Sequence, residues 1–484
     1  MKVILAGYNM ETELFRERKL VDEVQTPEIF SAAYAKISRS SENIPDLRKE
    51  ARLNIAKARD LNCRVIFDMG HNSVAEHAVF NFEIMDVSRL AVEEIESFRL
   101  VSYTEKSQRY VTFDGDFVLP HEVAMYRDRK LFETLIGFQN NFYKRSMSKI
   151  LDYLKKRYHT ESIKKLEGWA KEDARYILAM GTKTQVAMTI NARNIGHLLR
   201  RFKMSMNSEV RMIGNYIYIG VKNVAPSIIR YIEPSKFEIK FLNENFKHLN
   251  VIKTLLIGSD VTSVDRIYNL KFIECENIDD KILVLLFSKH LGIDYDHSLW
   301  IVSNLRDSTK KVIWREIFEG MKSFDVPPRE FEFYNVSFRA VVSASNFAQL
   351  KRHRMMSLVK GSYDIELGNT CPENIKLVGL EDEFTTIIER VNEFYLTLRE
   401  RYNRSVAEYV LTNSHRRPVW VNMNIRELFH FARLRCDNHA QWDIRQLANQ
   451  VVSEFKEISP MAGMLLCGKD TFDKEYDKNI NVVL

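Results

Sequence analysis

Apolar residues open the chain in MKVILAGY and give way at once to polar NMETE. A brief apolar run with one lysine predicts an opening strand rather than a cleaved leader. Ser41–Arg59, SENIPDLRKEARLNIAKAR, predicts a helix behind a serine-rich start that supplies a cap. FNFEI at Phe80–Ile84 alternates with the two-residue period of a half-buried strand. Lys222–Lys236, KNVAPSIIRYIEPSK, carries two prolines that disfavour helix and is the best candidate for a linker. Leu428, Phe431 and Leu434 have helical spacing and, with Trp442, predict a packed core face rather than a cofactor box. The run ILVLLF at Ile282–Phe287 is far too short to span a bilayer. Lys240–Leu305 is rich in Ile, Leu, Asn and Lys and offers no readable chemistry.

A chain of 484 residues exceeds the size, about 250–300 residues, at which a single core splits. Two domains are therefore expected, 1–225 and 226–484. Five cysteines, scattered without CxxC spacing, fit a reducing cytoplasm and argue against a disulfide framework or a structural zinc site. No metal site is expected. The net charge of +6 is mild for a nucleic-acid binder and suits small anionic ligands equally well. Nucleic acid and membrane are not expected as partners.

Comparing the halves shows a repeat. FRLVS at Phe98–Ser102 matches HRMMS at His353–Ser357, sharing R-x-x-S. NARNIGHLLRRF at Asn191–Phe202 matches NIRELFHFARLR at Asn424–Arg435, sharing N-x-R-x-x-x-H. Arg99 and Arg354 stand 255 positions apart, Asn191 and Asn424 233, so the pieces recur in one order with different spacers. A duplicated domain explains this.

Two stretches carry candidate chemistry. EKSQRY at Glu105–Tyr110 is a short loop whose serine, arginine and backbone N–H groups can hold a phosphate. KRHRMMS at Lys351–Ser357 is a dense basic run that in isolation reads equally as a solvated helix end. Around them lie HNSVAEHAVFNFEI (71–84), EDARYIL (172–178) and NARNIGH (191–197) in the first half. The second half adds QLKRHRMMS (349–357), NIRELFHFARLR and HAQWDIR (439–445). Together these resemble the flavin-dependent thymidylate synthases, with H-x-[ST]-x-x-E-H-x-x-F-x-F, R-H-R-x-x-S, E-x-S-x-R-Y, N-A-R and H-A-Q-W motifs. The resemblance covers most of residues 60–215 and 330–460. It implies an α+β fold in two tandem copies, a sheet packed with long helices.

The departures from the family pattern divide between the copies. In the first, the RHR positions read Ser97-Phe98-Arg99, Glu94 replaces the preceding glutamine, and Phe202 or Arg201 replaces the substrate arginine. In the second, the loop reads Lys360-Gly361-Ser362-Tyr363-Asp364, Glu408 stands where the first copy has Arg175, and PPREFEFYNVSF lacks H-x-S. The losses do not overlap. The family builds its active site from two walls of different chains, which implies a composite site with one retained wall from each unlike half.

By that resemblance, Arg435 and Ser107 are catalytic. Gln349, Arg352, Glu105, Lys106, Ser107, Gln108, Arg109, Arg175 and Arg435 bind substrate. Ser73, Glu105, Arg352, His353, Arg354, Asn424, Arg426, His430, Asn191, Arg193 and His197 bind cofactor. The implied cofactor is FAD, with NADPH and methylenetetrahydrofolate as co-substrates and dUMP as substrate. A homodimer imitating a tetramer is expected. Methylating a pyrimidine at C5 requires electron density pushed onto that carbon, and a guanidinium beside the ring stabilises the anion that forms. Arg426 and His430, four apart, share a helix face. Two rivals remain: a pyrimidine-nucleotide hydroxymethylase on the same scaffold, and a non-catalytic nucleotide- or nucleic-acid-binding descendant. His77 and His439 read as hydrogen-bonded structural histidines. GMLLCGKD at Gly463–Asp470 imitates a P-loop, but Asp470 stands where a Ser or Thr must bind magnesium.

Overall fold

In a computed structural model that describes residues 1–13, 26–242 and 270–480, the chain divides into two compact units. One comprises Met1–Thr262 with Pro372–Thr412, the other Ser263–Cys371 with Asn413–Leu484. The segment 243–269 of the Ile- and Asn-rich stretch lies outside the described residues.

Each unit is built on a four-stranded antiparallel sheet of the same order. The first contains β1 (Lys2–Tyr8), β2 (Val79–Ser88), β3 (Ser102–Glu105) and β4 (Lys183–Asn191), arranged β1-β2-β4-β3. The second contains β5 (Leu270–Glu274), β6 (Asn335–Ser343), β7 (Ser357–Lys360) and β8 (Arg416–Asn424), arranged β5-β6-β8-β7. The fold is α+β in two tandem copies, as the motifs imply. Alternation puts one face of each sheet into its core: Phe80, Phe82 and Ile84 on β2 are buried opposite Ile190, Met188 and Val186 on β4. In the second unit Val336, Phe338 and Ala340 face Met423, Val421 and Val419 in the same way.

One irregularity separates the two sheets. Between Met85 and Val87 the register of β2 slips, and Asp86 adopts a left-handed backbone with φ 55°. The equivalent pairing of β6 with β8 is unbroken. A β-bulge absorbs one extra residue without turning the following side chains to the wrong face. Both strands can therefore end on an equivalent serine. Ser88 accepts from Ala91 N and Ser343 from Asn346 N, capping the helices Arg89–Ile95 and Ala344–Leu350.

The opening strand is β1, and FNFEI lies within β2. The helix expected over 41–59 is two, Ile44–Leu53 and Ile55–Cys63, broken at Asn54 (φ −134°, ψ 74°). The Asn54 side chain accepts from Lys57 N at 3.1 Å, so a local side-chain bond restarts the helix there. The cap of the first helix position is Asn43, without a side-chain bond, rather than a serine. The proline-bearing stretch after Val221 is non-helical up to Lys236, yet Ala225, Ile228 and Ile229 are buried in the first unit's core. It is packed structure, not a free connector. ILVLLF falls in the helix Asp279–Leu291, with Ile282, Leu283 and Val284 fully buried. No helix among the described residues is long and apolar enough to cross a membrane.

The compact units cut across the sequence copies. Residues 372–412 belong by sequence to the second copy but pack in the first unit. The helix Glu381–Arg401 lies on the helix Asp128–Arg157 through Phe384 against Phe142 (5.9 Å between ring centres) and Phe394 against Phe132 (6.4 Å). Gly181 N donates to Tyr409 O at 2.8 Å, an approach that a Cβ at Gly181, 3.0 Å from that oxygen, would crowd. Tyr409 then donates its phenol to Glu209 Oε2 at 2.6 Å, and Glu209 also accepts from Ser88 N at 2.8 Å. Burial pushes the Glu209 carboxyl up, against those bonds, and burial with the neighbouring carboxylate pushes the Tyr409 phenol well up.

Candidate functional site

In the first unit the loop residues leave β3 in order. Glu105, opposite Val186 on β4, is held by buried Arg89 at 2.7 Å, with Thr184 Oγ1 at 3.5 Å. Burial works against the Arg89 charge, but Glu105, Glu96 and Glu93 raise its pKa nonetheless. Lys106 N donates to Gln185 O and its ammonium lies over the Phe113 ring at 5.2 Å. Ser107 Oγ accepts from Arg109 N at 3.2 Å, closing a tight turn, and Gln108 is buried.

Glu172, at the end of the helix Ile163–Ala174, gathers the two arginines expected at a phosphate. Arg109 reaches its carboxylate through Nε (3.1 Å) and Nη2 (3.0 Å), while Arg175 Nε donates to its backbone carbonyl at 3.3 Å. Arg175 is 6% exposed. Burial, helped by the Arg109 and Arg89 charges, holds its pKa below the usual arginine range. Two guanidiniums in a poorly solvated corner favour an anion between them.

The remaining first-copy residues do not join this corner. Asn191, Arg193 and His197 lie at the far end of β4, five residues beyond Glu105's partner Val186, or about 17 Å along a strand. Asn191 Oδ1 caps the helix Ala192–Met204 by accepting from Asn194 N at 2.9 Å. Arg193 pairs with Glu76 at 2.5 Å on the short turn that also carries exposed Ser73. His197 Nδ1 meets Arg200 Nη2 at 2.8 Å, and burial followed by Arg200 and Arg193 lowers its pKa.

The second unit repeats the capping frame. Asn424 Oδ1 accepts from Glu427 N at 2.8 Å at the start of the helix Ile425–Arg435, and Arg426 pairs with Glu332 at 2.6 Å. Here, however, the helix also reaches the basic run. His353 is 3% exposed, with exposed Arg352 and Arg354 on either side. Arg435 Nε lies 2.9 Å from His353 Nε2, and Arg435 Nη2 donates to Gln349 O at 3.1 Å. A guanidinium nitrogen can only donate, so His353 Nε2 accepts and its proton sits on Nδ1. That Nδ1 is 3.2 Å from Glu427 Oε1. Burial, then Arg435 and His430, holds the His353 pKa well below its ordinary value, so the ring is neutral. Burial raises the Glu427 carboxyl. His430 stands beside the ring, 5.6 Å between centres.

His353, Glu427 and His430 bring possible metal-ligand atoms within 4.8 Å of one another. Both His353 nitrogens are already engaged, so a cation there would displace the Glu427 or Arg435 bond. Gln349 donates Nε2 to Gln441 Oε1 at 3.2 Å, while its own Oε1 is buried without a hydrogen-bond partner. Such an orphaned acceptor beside Arg435 fits a ligand that brings a donor.

The second copy's loop turns to local partners. The Lys360 ammonium lies over Phe347 at 5.6 Å, and Asp364 caps a short turn by accepting from Glu366 N at 2.9 Å. Gly361 is pressed on Pro418, where a Cβ would come within 2.6 Å of the ring. GMLLCG at the start of GMLLCGKD is core, while Lys469 and Asp470 are exposed: Leu465 and Leu466 are buried, and Arg433 donates to Leu465 O (2.8 Å) and Cys467 O (3.1 Å). Leu428 and Phe431 are buried as expected, but Leu434 is 47% exposed, because the helical stripe turns it away from the sheet. His439 Nδ1 bonds Asp437 at 2.7 Å, and His77 meets Tyr34 edge to face at 4.8 Å.

Arg89, Glu172, Glu427 and Gln441 stand against the expected site residues although none was singled out from the sequence. Glu172, Glu427 and Gln441 lie inside the quoted motif stretches without an assigned role. Glu427 reads from sequence as an ordinary first-turn helix acid, and only the fold shows what it touches.

The family model described as "Thymidylate synthase complementing protein" matches residues 19–227 and 299–461. The chain belongs to this family. Its two matched segments are the two sequence copies, so the family domain occurs here in tandem. A UPF0159 protein of Thermoplasma acidophilum is 24% identical over 91% of this chain and 95% of its own length. A UPF0159 protein of Chlamydia pneumoniae is 22% identical over 94% and 91%. The flavin-dependent thymidylate synthase of Clostridium tetani is 30% identical over 45% of this chain and 86% of its own length, the span of a single copy. Among solved structures, a UMP/dUMP methylase from Streptomyces cacaoi is 16% identical with a TM-score of 0.33, covering 40% of this chain and 92% of that one.

Proposed function

We propose that this protein is a flavin-dependent thymidylate synthase, converting dUMP to dTMP with methylenetetrahydrofolate and NADPH. The observation that carries the reading is the division of labour between the copies. The first keeps Arg109 and Arg175 gathered on Glu172 beside the Ser107 turn; the second keeps Gln349, neutral His353 and Arg435 in one hydrogen-bonded group. A complete set of binding groups is obtained only by counting both copies, which supports one retained set from each.

In this reading Arg109, Arg175 and the N–H groups around Ser107 hold the nucleotide's phosphate. Arg435, with Gln349 behind it, stabilises negative charge on the pyrimidine as density moves to C5. Arg352 and Arg354, exposed beside His353, supply positive charge for the flavin pyrophosphate. Bound flavin would supply the reducing equivalents. The protein is proposed to act in the cytoplasm as a homodimer.

Purified protein should show flavin absorbance, as isolated or after FAD is added. With methylenetetrahydrofolate and NADPH it should convert dUMP to dTMP. Protein that stays colourless in excess FAD and forms no dTMP sinks the proposal; a 5-hydroxymethyl product would move it to the hydroxymethylase.

A further inference from the structure

We propose that Glu427 is a positioning residue that sets Arg435 through His353. The inference rests on Arg435 being the group that meets the pyrimidine.

The geometry is a relay of three side chains. Glu427 Oε1 accepts a hydrogen bond from His353 Nδ1–H at 3.2 Å, which leaves Nε2 as an acceptor for Arg435 Nε at 2.9 Å. Gln349 O accepts a hydrogen bond from the guanidinium Nη2 at 3.1 Å, so these contacts orient the Arg435 head. Were the imidazole proton on Nε2, it would oppose the Arg435 N–H, and the guanidinium would have to swing away. The acceptor on Nδ1 therefore decides where Arg435 points.

The helix alone does not account for Glu427. A first-turn acid gains from the helix dipole while remaining in water. Glu427 is 7% exposed, and a buried carboxyl is costly unless it is hydrogen-bonded. The His353 N–H meets that need.

The first copy supplies an internal control. Asn191, Arg193 and His197 keep the identities of Asn424, Arg426 and His430. The three relay positions change together: Glu427 corresponds to Asn194, His353 to Phe98, Arg435 to Phe202. Phe98 and Phe202 meet as rings, 6.0 Å between centres, and the Asn194 amide donates to Leu100 O at 3.3 Å instead. Where no histidine needs orienting, the glutamate is absent.

The test uses the full chain carrying ¹⁵N-labelled histidine, with His353→Phe to assign the signals and dUMP as the ligand. Wild type should show His353 neutral with its proton on Nδ1. Glu427→Asn, too short to reach the ring, should lose that signature and weaken dUMP binding about tenfold or more, the worth of one hydrogen bond to a charged group. Glu427→Gln keeps an acceptor at full reach and should restore both. The two amides differ only in length, so a shared folding defect would not separate them, and melting curves confirm that each is folded. An unchanged tautomer and dUMP affinity in Glu427→Asn overturns the proposal. If wild type binds no dUMP, the functional reading fails, and the histidine spectra alone decide the link from Glu427 to His353.

Discussion

Arg435 donates to a neutral His353 across 2.9 Å, and the same two positions in the other copy are a pair of phenylalanines, Phe98 and Phe202. One helix framework thus carries a polar dyad in one unit and an apolar contact in the other. The strand order, the asparagine caps and the arginine-to-glutamate ties of the short turns are common to both. Apart from the bulge at Asp86, the contrast between the two frameworks at these positions lies in groups suited to a ligand.

Replacing the whole relay by its first-copy equivalent, His353→Phe with Glu427→Asn and Arg435→Phe, should leave the fold intact, since the equivalent site in this chain already packs Phe98 on Phe202 beside Asn194. Turnover should fall by at least about a hundredfold, the scale of losing one preorganised electrostatic contact. Steady-state kinetics with dUMP, alongside melting curves, checks both halves of this expectation.

Arg352→Ala should abolish turnover, and so should Ser107→Ala and Arg175→Ala. Arg352 is exposed, so its loss should cost the fold no more than about 1 kcal/mol, read from melting curves. Lys360→Ala and Asp364→Ala should leave the rate nearly intact, because those side chains serve a ring face and a local turn. A severe loss at Lys360 or Asp364 would mean that the working phosphate loop has been assigned to the wrong copy.

Tyr409→Phe removes a buried phenol that donates to Glu209 at 2.6 Å and lies 3.1 Å from Asn207. The carboxyl loses a partner it cannot replace with water. The cost should be about 1–3 kcal/mol, seen as a lower melting temperature. Equal melting of variant and parent would show that the tie to residues 372–412 is not held by this bond.

Acid should weaken the fold through His353. Its folded pKa lies well below the ordinary 6.5, so the unfolded chain binds the proton first. Its contribution is fully present above pH 6.5 and is lost as pH falls through that value toward the folded pKa. The decline in melting temperature from pH 7 to pH 5 should therefore be shallower in His353→Phe than in wild type. Parallel declines would exclude a buried neutral imidazole at this position.

The sequence by itself determined the duplication, the family and which motifs each copy kept, because those are patterns of residue type and spacing. N-x-R-x-x-x-H marked both capped helices, and alternation marked β2, since helix caps and strand faces follow local rules. It did not show the break at Asn54, where one side-chain bond outweighs helical periodicity. It read Leu434 as core with Leu428 and Phe431, since apolar residues at helical spacing do not show where the buried stripe ends. The tertiary structure alone decided that 372–412 folds with the first unit, that Asp86 absorbs an extra residue in a bulge, and that Arg89, Glu172 and Glu427 stand behind the motif residues. Those contacts join positions from 16 to 74 residues apart, Arg89 to Glu105 and His353 to Glu427. Only burial reveals them: a charged side chain removed from water must find its partner wherever the fold brings one.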